Sequence, residues 1–148
     1  MPVMALIVKK STLPQAGKGL FTTKRILKDE KIIEYKGEII DWKEYEKRVK
    51  EDKDGYLFYI NKKRCIDAYN TPQHKARYAN DAAGLSRVQG LKNNAVYEIF
   101  DDKCYIVATR EIEAGEEIFV SYSKDYWDCI RYNIKNNLYK TKELANAS

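Results

Sequence analysis

Hydrophobic residues in this chain fall mostly in short runs, rich in β-branched and aromatic side chains and bounded by turn formers. That pattern predicts strands. The runs are 5–8, 19–22, 31–35, 38–40, 56–60, 65–67, 95–100, 104–109 and 117–121. Asn61-Lys62-Lys63, Asp101-Asp102-Lys103 and Glu113-Ala114-Gly115 separate neighbouring runs as tight turns. Helical spacing recurs in three segments. Asp41 caps the first, with Glu44 three residues on, and Trp42, Tyr45 and Val49 share one face. Thr71-Pro72 opens a short second helix with proline at its first position. The third covers about 124–138, where Trp127, Ile130, Ile134 and Leu138 recur every three or four residues. The expectation is a β-rich fold, mainly strands with short helices, without internal repeats.

Composition narrows the class. The 148 residues suffice for one domain with a sizeable core. With 44% hydrophobic and 33% charged residues the chain reads as globular, neither disordered nor membrane-embedded. Twelve tyrosines suit an aromatic-lined pocket or channel. The net charge of +5 comes from lysines spread among acids, so a solvated surface is favoured and nucleic acid is not an expected partner. Cys65, Cys104 and Cys129 are odd in number and lack any C-x-x-C spacing, which argues against zinc and against a disulfide framework. The apolar run from Met4 to Val8 is too short for a signal-peptide core. The expectation is a cytoplasmic protein, or one exported to another compartment without a recognisable signal, and a monomer or weak dimer.

Candidate chemistry lies in three stretches. The first is Gly17-Lys18-Gly19-Leu20, where missing side chains permit close approach of a ligand to the backbone. The second is Arg77-Tyr78-Ala79-Asn80-Asp81. The third is Ala114-Gly115-Glu116-Glu117-Ile118-Phe119-Val120-Ser121-Tyr122, followed by Tyr126-Trp127. In this order and at these separations they resemble the signature segments of a SET domain, covering 5–127, with 128–148 as a C-terminal helix closing the site and a frayed tail. The resemblance implies several small sheets around a pseudoknot-like core. It also implies an S-adenosylmethionine-dependent protein-lysine methyltransferase acting on a histone or other protein. Gly17, Lys18, Gly19, Leu20, Arg77, Tyr78, Asn80, Asp81 and Trp127 would hold the cofactor. Tyr122 would be the catalytic tyrosine, with Tyr35 and Tyr97 shaping the lysine channel and Tyr56 and Phe119 lining it. Tyr97, three residues after Asn94, implies monomethylation. No metal is implied. The chain departs from the family pattern at Asp81, which stands where histidine is usual, and by extra residues between Ala82 and Asn94. Those departures favour the alternative of a catalytically degenerate module that binds a protein tail.

The chemistry sets its own demands. A free lysine has a pKa of about 10.4, so only about one in a few thousand is a neutral nucleophile at pH 7. A cationic sulfonium about 4 Å away, at an effective dielectric near 20, opposes the ammonium by roughly 4 kcal/mol, or about three pKa units. Desolvation acts in the same direction. A general base is therefore not obligatory, and Tyr122 is expected to aim the amine. A basic protein gains steering toward a lysine-bearing peptide only from a local acidic rim, for which Glu111, Glu113, Glu116 and Glu117 are the candidates.

Overall fold

The computed structural model describes residues 5–51, 56–61, 63–83 and 88–121. In chain order the described elements are β1 (Leu6–Lys10), β2 (Lys18–Thr22), β3 (Lys31–Glu34), β4 (Glu38–Ile40), α1 (Trp42–Lys50), β5 (Leu57–Asn61), β6 (Arg64–Asp67), β7 (Ala95–Phe100), β8 (Lys103–Ala108), β9 (Glu117–Ile118) and β10 (Val120–Ser121). They form three small sheets: β1-β2-β9, β10-β7-β8-β3 and β4-β6-β5. All pairings are antiparallel except β10 with β7, which is parallel. The mainly β class expected from the apolar runs is the class observed.

Local chemistry explains the connections. Asp101 and Asp102 both adopt positive φ, 50° and 61°, in the two-residue turn that joins β7 to β8. A mirror-image hairpin turn requires that conformation, and aspartate tolerates it better than most residues. The Asp41 carboxylate accepts the Glu44 N–H at 3.0 Å and starts α1 as the capping pattern predicts. The helix expected from Thr71-Pro72 begins later. Thr71 and His74 donate to the carbonyls of Ala68 and Thr71, making tight turns, and only Lys75–Tyr78 form a short 3-10 helix. The 117–121 run is not one strand but two, because at Phe119 the chain leaves β2 and joins β7.

Leu20, Ile66, Ile106, Ile112, Ile118 and Val120 are fully buried where the sheets meet. Each such side chain contributes roughly 1.5–3 kcal/mol by leaving water. A smaller cluster of Leu13, Ala82 and Phe119 lies beside this core, with Ala16, Val88 and Leu91 packed on it. These two clusters bracket the segments singled out by the sequence.

Candidate functional site

β9 pairs with Leu20 and Phe21 only, so Lys18 and Gly19 extend along β2 beyond its end. The Asn80 amide donates to the Lys18 carbonyl at 3.0 Å, bringing the second signature segment against the first. Gly17 has φ +70°, and a Cβ placed on it would have no atom within 4 Å. The Ser11 N–H donates to the Gly17 carbonyl at 2.8 Å and closes the intervening loop. Leu20 is fully buried, so its side chain belongs to the core and only its main chain can serve a ligand. The result is an extended backbone edge flanked by glycines, with open space beside Gly17 and the Glu117 carboxylate packed beside Gly19.

Arg77 does not lie free for a ligand. Its guanidinium donates to the carbonyls of Ala68 and Tyr69 at 2.8 and 3.0 Å and stacks between the rings of Tyr56 and Tyr78, 4.3 and 4.9 Å from their centroids. The Tyr78 hydroxyl donates to the Pro72 carbonyl at 3.2 Å. Asp81 is buried, and its Oδ1 accepts from the Ala83 N–H and the Asn93 amide, both at 2.8 Å. Asn93 accepts in turn from the Ala82 N–H at 2.8 Å. Asp81 and Asn93 thus tie together the two ends of the segment that is longer here than the family pattern. A carboxylate makes these bonds where histidine is usual.

On the other side of the 117–121 segment, the rings of Tyr35, Phe58 and Tyr97 form a triangle. Centroids are 6.0 Å apart for Tyr35 and Phe58, 5.9 Å for Tyr35 and Tyr97, and 5.1 Å for Phe58 and Tyr97. The Tyr35 hydroxyl donates to the Tyr56 carbonyl at 2.9 Å. Burial, reinforced by the nearby Asp67 carboxylate, pushes its pKa well above the usual phenol range. Tyr35 is a fixed wall that stays protonated. Gly37 makes room for this arrangement, since a Cβ there would stand 2.5 Å from the Asp67 carbonyl oxygen. Of the two residues expected to line the channel, Tyr56 contributes its carbonyl to the triangle and turns its ring to Arg77, while Phe119 packs with Leu13 and Ala82 instead. Phe58, one strand position from the triangle's other face, supplies the third ring. Sequence alternation alone does not choose between Tyr56 and Phe58, which share a parity.

The 117–121 segment joins the two halves. Phe119 bridges Asn80 in parallel, and Val120 donates to the Asn80 carbonyl at 2.8 Å. Asn94 spans the break between β9 and β10: its amide donates to the Glu117 carbonyl, and its Oδ1 accepts the Phe119 N–H, both at 2.9 Å. Ser121 pairs with Val96, so the residues preceding Tyr122 and Tyr97 are strand partners. Tyr122 and Trp127, and the segments 124–138 and 128–148, lie outside the described residues.

Glu117 departs from expectation. It is not part of an acidic rim but is buried, and its Oε2 accepts from Ser11 Oγ at 2.6 Å. Its Oε1 accepts from the Thr12 N–H and Oγ1 at 2.8 and 2.7 Å. Glu111 is paired with Arg25, and Glu116 with Arg110 and the Glu113 N–H. From sequence, Phe58, Asn93 and Asn94 are given no site role, and Glu117 is placed in the third signature stretch and in an acidic rim. The one signal for Glu117 was an acidic residue opening an otherwise apolar strand.

Comparison with known proteins matches this architecture to one family. The family model described as the SET domain matches residues 17–123, a span that includes Tyr122 and stops before Trp127. The chain is 30% identical over 135 residues to the histone-lysine N-methyltransferase mes-4 of Caenorhabditis elegans, covering 83% of this chain and 15% of that protein. It is 34% identical over 120 residues to human histone-lysine N-methyltransferase 2D, covering 76% of this chain and 2% of that one. Among solved structures, a humanised mutant of the Chaetomium thermophilum Polycomb Repressive Complex 2 bound to the inhibitor GSK126 superposes with a TM-score of 0.63 at 29% identity, over 80% of this chain and 15% of that chain. The chain therefore spans no more than 15% of the length of any of these three. With the glycine edge, the Asn80 bridge and the aromatic triangle assembled around the segment that the family match covers, the chain belongs to the SET-domain family.

Proposed function

We propose that this chain transfers a methyl group from S-adenosylmethionine to a lysine side chain of a histone or another protein, adding a single methyl. The observation that carries this reading is the convergence on segment 117–121 of a bare backbone edge from one side and an aromatic triangle from the other. The edge at Gly17–Gly19 suits an extended ligand: a Cβ at Gly17 would meet nothing within 4 Å, while at Gly19 the protein's own Glu117 fills the side-chain volume and leaves the main chain to serve the ligand. Lys18, Gly19 and Leu20 through their main chains, with Asn80 and Asp81, would hold the cofactor there, and Trp127 would cover it. When bound, S-adenosylmethionine supplies an electrophilic methyl carried on a positive sulfur.

The protein's own residues do the rest. Packed on one another, the rings of Tyr35, Phe58 and Tyr97 would form one wall of the lysine's path and favour its cation on entry by roughly 1–2 kcal/mol. Removal from water then favours the neutral amine. Tyr35 cannot serve as the base, because its proton is committed to the Tyr56 carbonyl. Tyr122 aims the amine, and the Tyr97 ring restricts the space a second methyl would need. Arg77, through its stack on Tyr56, links the cofactor segment to this wall. The rival reading of a degenerate binding module drew its support from Asp81. That carboxylate has a scaffolding task, accepting from Ala83 and Asn93, and this task is the same whether or not a methyl is transferred.

Calorimetry with S-adenosylmethionine, followed by mass spectrometry of a histone-peptide panel incubated with protein and cofactor, tests the proposal. A single added 14-Da increment (roughly, one methylene equivalent) on one lysine is expected, with Tyr122→Phe binding cofactor but transferring about 10²-fold more slowly. Absence of cofactor binding by the wild-type protein would overturn the proposal.

A further inference from the structure

The carboxylate of Glu117 belongs to β9, yet all three of its side-chain partners lie on the loop that leads into the glycine edge, more than 100 residues earlier in the chain. Ser11 Oγ serves twice, donating to Glu117 and accepting the Leu13 N–H at 3.0 Å. From Ser11 the main chain closes on Gly17, so fixing Ser11 fixes the loop's far end as well. Leu13 is buried beside Phe119 and Ala82, which gives the same loop an apolar foot on the two segments that carry Asn80 and Tyr122. Gly19 completes the arrangement. A Cβ on it would stand 2.9 Å from the Glu117 carboxyl carbon and 3.2 Å from Ser11 Cβ, so the carboxylate occupies the volume that a side chain at position 19 would need.

We propose that Glu117 is a positioning residue for the cofactor: its buried carboxylate grips Ser11 and Thr12 and holds the 11–17 loop and the Gly17–Gly19 edge in the shape that receives S-adenosylmethionine. This rests on the cofactor reading above. The carboxylate touches neither reacting group. It acts through the loop, spending two hydroxyl donors and one amide donor to order a segment that has no strand partner between Lys10 and Lys18. Charge-assisted bonds of this kind are shorter and stronger than neutral ones, and the three are 2.6 to 2.8 Å long. The grip sits on β9, in the same stretch of sequence as Tyr122.

The full chain carrying Glu117→Gln, which keeps the shape and one acceptor oxygen, and Glu117→Ala, which keeps neither, is compared with wild type. Three quantities are read: affinity for S-adenosylmethionine by calorimetry, kcat and cofactor KM separately, and amide hydrogen exchange at Thr12, Leu13 and Gly17 without cofactor. The expected result is a cofactor KM raised about tenfold in Glu117→Ala and less in Glu117→Gln, with kcat at saturating cofactor within about twofold of wild type. Exchange at the loop amides rises in the same order, while amides of β7 and β8 are unchanged. Faster loop exchange with unaltered cofactor affinity would overturn the proposal, leaving Glu117 a purely structural residue. Unaltered loop exchange would overturn it as well. Where Glu117→Ala fails to fold, the double variant Ser11→Ala/Thr12→Val removes the two hydroxyl bonds from the loop side, leaving the Thr12 N–H bond, and must lose affinity in the same direction. Failure of the methyltransferase reading shows separately, as absence of binding by wild type.

Discussion

Phe58 and Tyr59 are neighbours on β5, and each belongs to a cluster of three aromatic rings on opposite faces of the same small sheet. The inner cluster, Tyr35–Phe58–Tyr97, has centroid separations of 5.1 to 6.0 Å. The outer cluster, Trp42–Tyr45–Tyr59, has separations of 5.1 to 6.1 Å. By ring spacing alone they are alike, although Trp42 and Tyr45 stack at 18° and no inner pair does. They differ in what fixes them. Tyr35 is 5% exposed and its hydroxyl is bonded, whereas Trp42 and Tyr59 are 38% and 43% exposed. Two of the outer rings, Trp42 and Tyr45, ride on α1, which has no buried residue and is held to the sheet by ions: Arg48 reaches Asp67 at 2.6 Å and Glu38 at 3.1 Å. The core immobilises the inner cluster, as the proposed channel wall requires. The outer cluster is a surface, expected to vary without touching the chemistry.

The strongest way to break that comparison is to remove one ring from each side. Tyr35→Ala empties a core position and is expected to cost about 3–5 kcal/mol of unfolding free energy, with loss of methyl transfer. Tyr59→Ala, on a half-exposed ring, is expected to cost less than about 1 kcal/mol and to leave transfer intact. Urea unfolding with both proteins, alongside peptide methylation, reads this directly; equal losses would erase the distinction. A finer cut is Tyr35→Phe, which keeps the ring and deletes only the bond to the Tyr56 carbonyl. About 1 kcal/mol of stability is expected to go, and the peptide KM should rise more than kcat falls, since the wall loosens while Tyr122 is untouched. No change in stability would mean that the hydroxyl does not fix the ring.

The same contrast explains what the sequence could tell. The pattern of apolar runs located the strands well because each run is bounded by its own turn residues, such as Asp101 and Asp102 with their positive φ. Gly17, Gly19 and Asn80 were legible because motif order carries them. The helical stripe of Trp42, Tyr45 and Val49 was equally legible, yet periodicity cannot say whether a stripe meets core or, as here, the half-exposed ring of Tyr59 on the outer face of a small sheet. Phe58 lost to Tyr56 for a related reason: both point to one face, and only the packing of β3 and β7 decides which ring meets Tyr35. Glu117 was least legible. Its partners Ser11 and Thr12 lie 106 and 105 residues away, and no local pattern records a bond of that span.

The smallest expected effect separates the clusters by pH. The Glu38 carboxylate is held below its ordinary value of 4.5 by the Arg48 guanidinium, with the Asn70 amide assisting. A carboxylate whose pKa is depressed on folding contributes stability that is complete above its unfolded value and is lost as pH falls through its folded value. Glu38 is 40% exposed at its side chain, so solvent screening limits the contribution to a few tenths of a kcal/mol, roughly. The effect should nevertheless be local, because this pair helps hold α1 and leaves the inner triangle alone. Trp42 fluorescence, read in a Trp127→Phe background, is expected to change as pH falls below the ordinary glutamate value of 4.5, before near-ultraviolet circular dichroism reports loss of the buried tyrosines. Glu38→Gln should abolish the early fluorescence change. If that variant keeps it, or if both signals move together in the wild type, then the outer rings are anchored by the core after all, and the two faces of β5 are one cooperative unit.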